Sequence, residues 1–291
     1  MNKIYTVVLA FFTFILFNNA YYEINGKISA AGLDHYSNPF TNYNFKQLRD
    51  TIYTSKDYFI EVNLATQHGT LYSRDGSEIH FPISSGNKWV EKGMETNQGL
   101  FVIQWKAKKQ PSVQFDSTVM INWMGFNNGI GFHALEGKSY YRYLGKKNAS
   151  HGCIRLSRED AQFIYEKIER GTPVLIHKGN SALKIAFTKE GENYQHYSYT
   201  EVYKLLPSRF QSIYEGDYLI SSNDKILIDE KNVTHNGLPI GNSELIPSKQ
   251  NIKPSTLWID SNKPEIEKLI DIVSGWKREP LTYNTFLDSK N

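Results

Sequence analysis

The chain has 291 residues, 40% hydrophobic and 22% charged, the balance of a globular protein with enough apolar side chains for a packed core. That length admits one large domain or two modest ones, and the composition excludes disorder along the whole chain. The formal net charge is only +3, and no window gathers Lys and Arg into a block able to neutralise a phosphate backbone, so no nucleic-acid partner is expected.

The N-terminus carries Lys3, an apolar stretch from Ile4 to Phe17, and then Asn18, Asn19 and Ala20, the layout of a secretory signal. The stretch is shorter than the ~20 apolar residues that span a bilayer, so residues 1–20 read as a signal peptide and the protein as exported, to the periplasm or cell envelope. Asn18 stands where a small residue usually precedes the cut, which leaves an uncleaved anchor as the alternative.

Residues 21–57 are rich in Asn, Tyr and Ser with little period and read as a lead-in segment. From Tyr58 the pattern changes: Tyr58, Ile60, Val62 and Leu64 alternate with polar residues, as in a half-buried strand. Further strands are predicted over 70–72, 78–83, 100–105 and 119–123, separated by turn formers such as Asp75-Gly76 and Ser85-Gly86-Asn87. After Leu156 the period becomes helical. Ser157 can cap, Ala161, Ile164, Tyr165 and Ile168 share one face, and Gly171 supplies the stop. Val174, Leu175 and Ile176 return as a last strand, closing a mainly β unit over 58–178. Gly179, Asn180 and Ser181 read as a linker to an accessory α+β region, 181–291. That region holds a strand-like patch at 225–229 and an amphipathic helix with Pro264 in its first turn and Ile266, Leu269, Ile270 and Val273 on one stripe.

One cysteine exists, Cys153, in a chain that reads as exported, where cysteines normally pair. It is either an inert small hydrophobe or kept for its reactivity. His151 lies two residues before it and His133 twenty before it. A neighbouring imidazole can lower a thiol pKa from about 8.5 to roughly 3.5–7.5 and so raise the thiolate nucleophile. His133 follows Ile130 and Phe132 at the end of a predicted strand, where a lone histidine would be structural; as the partner of Cys153 it becomes a candidate base. Gly152 permits a turn that aims the backbone N–H groups of His151, Gly152 and Cys153 at one point, where each donor to an oxyanion contributes about 2.7–4 kcal/mol; the plain alternative is a tight turn between strands. Scattered histidines beside one cysteine lack the close ligand pairs of a zinc site, so no metal or cofactor is expected.

The segment from Gly129 to Leu156 resembles the signature of the L,D-transpeptidases, in which a histidine is followed by about sixteen residues and then Ser-His-Gly-Cys. Ser150-His151-Gly152-Cys153 matches letter for letter, His133 matches the upstream position, and Ile154, Arg155 and Leu156 agree with a common variant of the three positions after the cysteine. The similarity extends over about 58–177, including Ile83-Ser84-Ser85-Gly86 and the stretch from Thr96 to Phe101. It departs at Asn97, where the family often has Pro, and at Arg155, where some members carry Asn.

The resemblance implies a mainly β, α+β fold: an L,D-transpeptidase-like β-sandwich with one or two peripheral helices, beside the small α+β C-terminal region. It implies Cys153 as nucleophile and His133 as general base, oriented through the backbone carbonyl of Ala134. His151 would support the oxyanion site, Ser150 would shape the turn, and Arg155 would brace the loop or meet a substrate carboxylate. The substrate would be a peptidoglycan tetrapeptide stem, cut before its terminal D-alanine through a thioester. Transfer to the side-chain amine of another stem gives a 3-3 cross-link, transfer to a protein lysine anchors an envelope lipoprotein, and transfer to water makes an L,D-carboxypeptidase. The same site could also serve an amidase that cuts cross-links. A reading of another class is a non-catalytic wall-binding module with an aromatic groove, for which the 19 Tyr and 16 Phe provide material.

Overall fold

A computed structural model describes residues 48–112, 118–216 and 224–248, all within one compact unit, Phe45–Asn251. The signal-like segment 1–20 and the helix expected near Pro264 lie outside the described residues. In chain order the strands are β1 (Asp50–Thr54), β2 (Tyr58–Asn63), β3 (His68–Ser73), β4 (Glu78–Pro82), β5 (Gly99–Val102), β6 (Trp105–Pro111), β7 (Val119–Asn127), β8 (Ile130–Leu135), β9 (Ile154–Arg155), β10 (Pro173–His177), β11 (Leu183–Phe187) and β12 (Ile226–Leu227). Two α-helices accompany them among the described residues, α1 (Arg158–Lys167) and α2 (Tyr199–Tyr214).

The alternation from Tyr58 becomes β2, at the centre of a five-stranded sheet of order β4-β3-β2-β10-β5. A four-stranded sheet, β6-β7-β8-β9, contributes to the same core. Ile60, Val62 and Leu71 come from the first sheet, Met124, Phe126, Phe132 and Ala134 from the second, and Ala161 and Ile164 of α1 join them. Burial on facing surfaces is what makes the sandwich expected from the sequence. α1 starts where the pattern places it, with the Ser157 hydroxyl accepting the Asp160 N–H at 2.9 Å and acidic Glu159 and Asp160 in the first turn.

The stretch 100–105, predicted as one strand, is split. β5 ends at Val102 beside β10, the Ile103 N–H bonds the Thr172 carbonyl, and from Trp105 the chain belongs to β6 in the other sheet. Every residue of β5 is buried, and the completely buried Ile103 lies at the crossing, so the apolar run carries no mark of the change.

The opposite face of the five-stranded sheet is covered too. Phe59, Leu100, Val102 and Leu175 pack with Leu183, Ile185, Val202, Leu206, Phe210 and Ile226 in a second core. The lead-in segment supplies β1, the middle strand of a parallel sheet β11-β1-β12. Ser181, read as part of a linker, is fully buried, and the Ala182 N–H bonds Ile240 O at 2.9 Å. The apolar face of the sheet needs a cover, and the chain after Ser181 provides it. α2 was not foreseen. Its capping box, Ser198 with Glu201, and the buried stripe Val202, Leu206, Phe210 and Ile213 mark it, whereas Pro207 inside it argues against a helix when read locally.

Candidate active site

β8 and β9 pair in parallel, which sets Phe132 opposite Ile154 and His133 opposite Arg155. A parallel pair needs a long crossover, and residues 136–153 supply it. The 3-10 turn Ser139–Tyr143 anchors that crossover, with buried Tyr140 donating its hydroxyl to Leu156 O at 2.7 Å. Beside His133, β7 loses its regular register between Ile121 and Met124, with Asn122 at φ 52. Such a bulge re-aims a side chain. Here it lays the Trp123 ring against the His133 ring, centroids 5.9 Å apart.

His133 is buried, with Nδ1 3.1 Å from the Ala134 carbonyl oxygen. A carbonyl only accepts, so Nδ1–H donates and Nε2 keeps its lone pair. Burial lowers the imidazole pKa to about 4, against the Ala134 hydrogen bond and with help from the Arg155 charge. Cys153 is half-buried, its Sγ 3.9 Å from Gly129 O. Burial raises the thiol pKa, opposed by a backbone hydrogen bond from Gly131 and by Arg155. The expected lowering of the thiol pKa is therefore not what its resting surroundings favour. Desolvation disfavours both charged forms, so thiol and imidazole rest neutral.

Around the sulfur, residues 150–153 form a tight turn. Gly152 sits at φ +143. The Ser150 hydroxyl donates to the Cys153 carbonyl and accepts the Gly152 N–H at 3.1 Å. The three-donor nest expected here is thereby corrected: the Gly152 N–H is already taken by Ser150. The Gly152 carbonyl accepts from the Thr96 hydroxyl at 2.6 Å, and Thr96 Oγ1 accepts the Gly86 N–H at 2.9 Å. Gly86, read as a turn former and as part of the stretch that carries the resemblance, is a packing residue, because a Cβ there would lie 2.7 Å from the Gly152 Cα. Met94 was missed as well; it lies over the turn, its N–H reaching His151 O at 3.3 Å. Nothing in the local pattern around Met94 or Trp123 marks them as site residues.

Arg155 Nη1 donates to Ala149 O at 3.1 Å, which braces the loop. Among the described residues no carboxylate pairs with Arg155. Half-buried His151 has its pKa lowered by burial and then by Arg155. His133, Ser150, His151, Gly152, Cys153 and Arg155 all line one cleft of about 490 Å³, a volume in the range of small-molecule sites. Trp105, Met120 and Trp123 add apolar side chains to the lining. Ala134 stands behind His133, fully buried, and acts through its carbonyl alone.

The segment that builds this cleft can be placed among known proteins. Residues 57–176 match the family model of the L,D-transpeptidase catalytic domain (YkuD). Within the chain, 35 residues are 51% identical to the probable L,D-transpeptidase 3 of Mycobacterium tuberculosis, 12% of this chain and 13% of that protein. Among solved structures, the chain is similar to an L,D-transpeptidase from Mycobacterium smegmatis, with 19% identity over 42% of this chain and 58% of that one, at TM-score 0.37. It is also similar to an L,D-transpeptidase from Stackebrandtia nassauensis, with 22% identity over 48% of this chain and 63% of that one, at TM-score 0.37. The chain thus spans 13% of the curated relative and 58% and 63% of the two solved ones.

Proposed function

We propose that the protein is an exported cysteine acyltransferase of the L,D-transpeptidase kind acting on peptidoglycan tetrapeptide stems. The observation that carries this is a lone thiol sharing one cleft with an imidazole whose tautomer is set by the Ala134 carbonyl. His133 Nε2 takes the thiol proton as Cys153 Sγ attacks the carbonyl of the stem's third residue. Because both groups rest neutral, the proton moves with bond formation rather than before it. The oxyanion meets the Cys153 backbone N–H with His151 beside it, since the Gly152 N–H is held by Ser150. Collapse breaks the bond to D-alanine, whose nitrogen leaves with the proton from His133, and the acyl group stays on sulfur as a thioester. An amine acceptor then gives up a proton to His133, attacks, and frees the thiol.

Among the described residues Arg155 is the one permanently charged group lining the cleft, and no carboxylate among them lines it. It suits a carboxylate of the donor stem while its Nη1 braces Ala149. The acceptor is the side-chain amine of a second stem, giving 3-3 cross-links; a lipoprotein lysine would serve by the same chemistry. Incubation of the purified full chain with tetrapeptide stems, followed by muropeptide mass spectrometry, tests this. Dimers support the transpeptidase, tripeptides alone point to the L,D-carboxypeptidase, and cleavage of added dimers points to the amidase. A Cys153→Ala protein that retains the full activity of the native one would favour the wall-binding module.

A further inference from the structure

Asn127 closes β7 at the turn into β8, and only 4% of it is exposed. Its side-chain amide is used at both ends. Oδ1 accepts from Asn97 Nδ2 at 3.0 Å, and Nδ2 donates to the backbone carbonyl of His235 at 2.6 Å. Each partner leads to a different part of the molecule. Asn97 follows Thr96, whose hydroxyl holds the Gly152 carbonyl. His235 belongs to the C-terminal segment, beyond the matched residues 57–176, where Leu238 and Leu100 exchange backbone hydrogen bonds at 2.8 and 2.9 Å. Asn127 itself leads into the Asn128-Gly129 turn, at φ 40 and 83, and the Gly129 carbonyl lies 3.9 Å from Cys153 Sγ. Asn128 Nδ2 adds a looser bond to Asn236 Oδ1 at 3.4 Å.

We propose that Asn127 is a positioning residue that couples the C-terminal segment to the nucleophile, holding the Asn128-Gly129 turn and the Gly152 turn at a set separation around Cys153. This rests on Cys153 being the nucleophile. An amide is the group this position needs, since one end must accept and the other donate; Asp would set an oxygen against the His235 carbonyl, and Leu would leave that carbonyl and the Asn97 amide unserved. Asn97 takes part only because it is not the Pro that similar sequences often carry, which has no side-chain donor. The Gly131 backbone bond to the sulfur lies on the same hairpin, so slack in the hairpin reaches the thiol directly. The ionisable groups around the sulfur, His133, His151 and Arg155, are untouched by the test variants.

The test compares the full chain with Asn127→Ala, Asn97→Ala and His235→Ala. It reads carbapenem acylation by intact mass, the pH profile of iodoacetamide alkylation of Cys153, and the melting temperature. Asn127→Ala is expected to acylate about tenfold more slowly, the factor carried by one or two hydrogen bonds. Its alkylation profile moves to higher pH, with half-saturating carbapenem little changed. Asn97 is exposed, so its replacement does not endanger the fold, and it is expected to shift both readouts in the same direction by less. His235→Ala keeps the carbonyl and is expected to match wild type. A lower melting temperature with wild-type acylation and alkylation in Asn127→Ala overturns the coupling; if that variant does not fold, wild-type behaviour of Asn97→Ala does so. A wild-type chain that makes no product from stems and takes no carbapenem would sink the transpeptidase reading instead, while the alkylation comparison would still decide the coupling.

Discussion

Replacing His133 by Gln removes a titration that the fold itself has displaced. The buried imidazole titrates near 4, against 6.5 for an ordinary histidine. Between those values the unfolded chain holds a proton that the folded chain refuses. Because the folded pKa is depressed, this contribution is complete above about pH 6.5 and fades as the pH falls toward 4. The gap of about 2.5 units corresponds to roughly 3 kcal/mol in all, and the part lost by pH 5 comes to about 2 kcal/mol. Urea unfolding of wild type and His133→Gln at pH 7 and pH 5 isolates it, because other groups titrate alike in both proteins. Wild type should lose about 2 kcal/mol more than the variant over that interval. Equal losses would refute the claim that His133 is held neutral by burial.

The same neutrality places the acid limb of wild-type carbapenem acylation well below pH 6.5, near the folded value of about 4, whereas an imidazole of ordinary pKa would put that limb near 6.5. Thr96→Val keeps the shape but leaves the Gly152 carbonyl and the Gly86 N–H unpaired, so it should cost about 3 kcal/mol of stability in urea unfolding and slow acylation as well. Arg155→Gln should raise KM for a donor stem with a free carboxylate by about tenfold, the lower end for a charge-assisted bond, and leave an amidated donor little affected; steady-state kinetics on the two stems separates this from a purely bracing role. Cys153→Ala should show no mass increase with a carbapenem under conditions that fully acylate wild type.

Some of this molecule was legible locally. The spacing from His133 to Ser150-His151-Gly152-Cys153 singled out residues that the structure brings to one cleft, because a string records residue types directly. β2 and α1 were legible because their burial follows a simple period and Ser157 caps in the sequence-adjacent way. What the string could not record is what distant segments do to one another. The pairing of β1 with β11, the split of 100–105 between two sheets and the burial of Ser181 all depend on partners far along the chain. The site shows the same division. Sequence supplied the thiol, the imidazole and the glycine turn, but only packing decided that Ser150 occupies the Gly152 N–H, that a bulge brings Trp123 onto His133, and that desolvation keeps the pair neutral. Hydrogen-bond partners and burial are properties of neighbours in space, and for these residues the neighbours are set by contacts that close only when both sheets are in place.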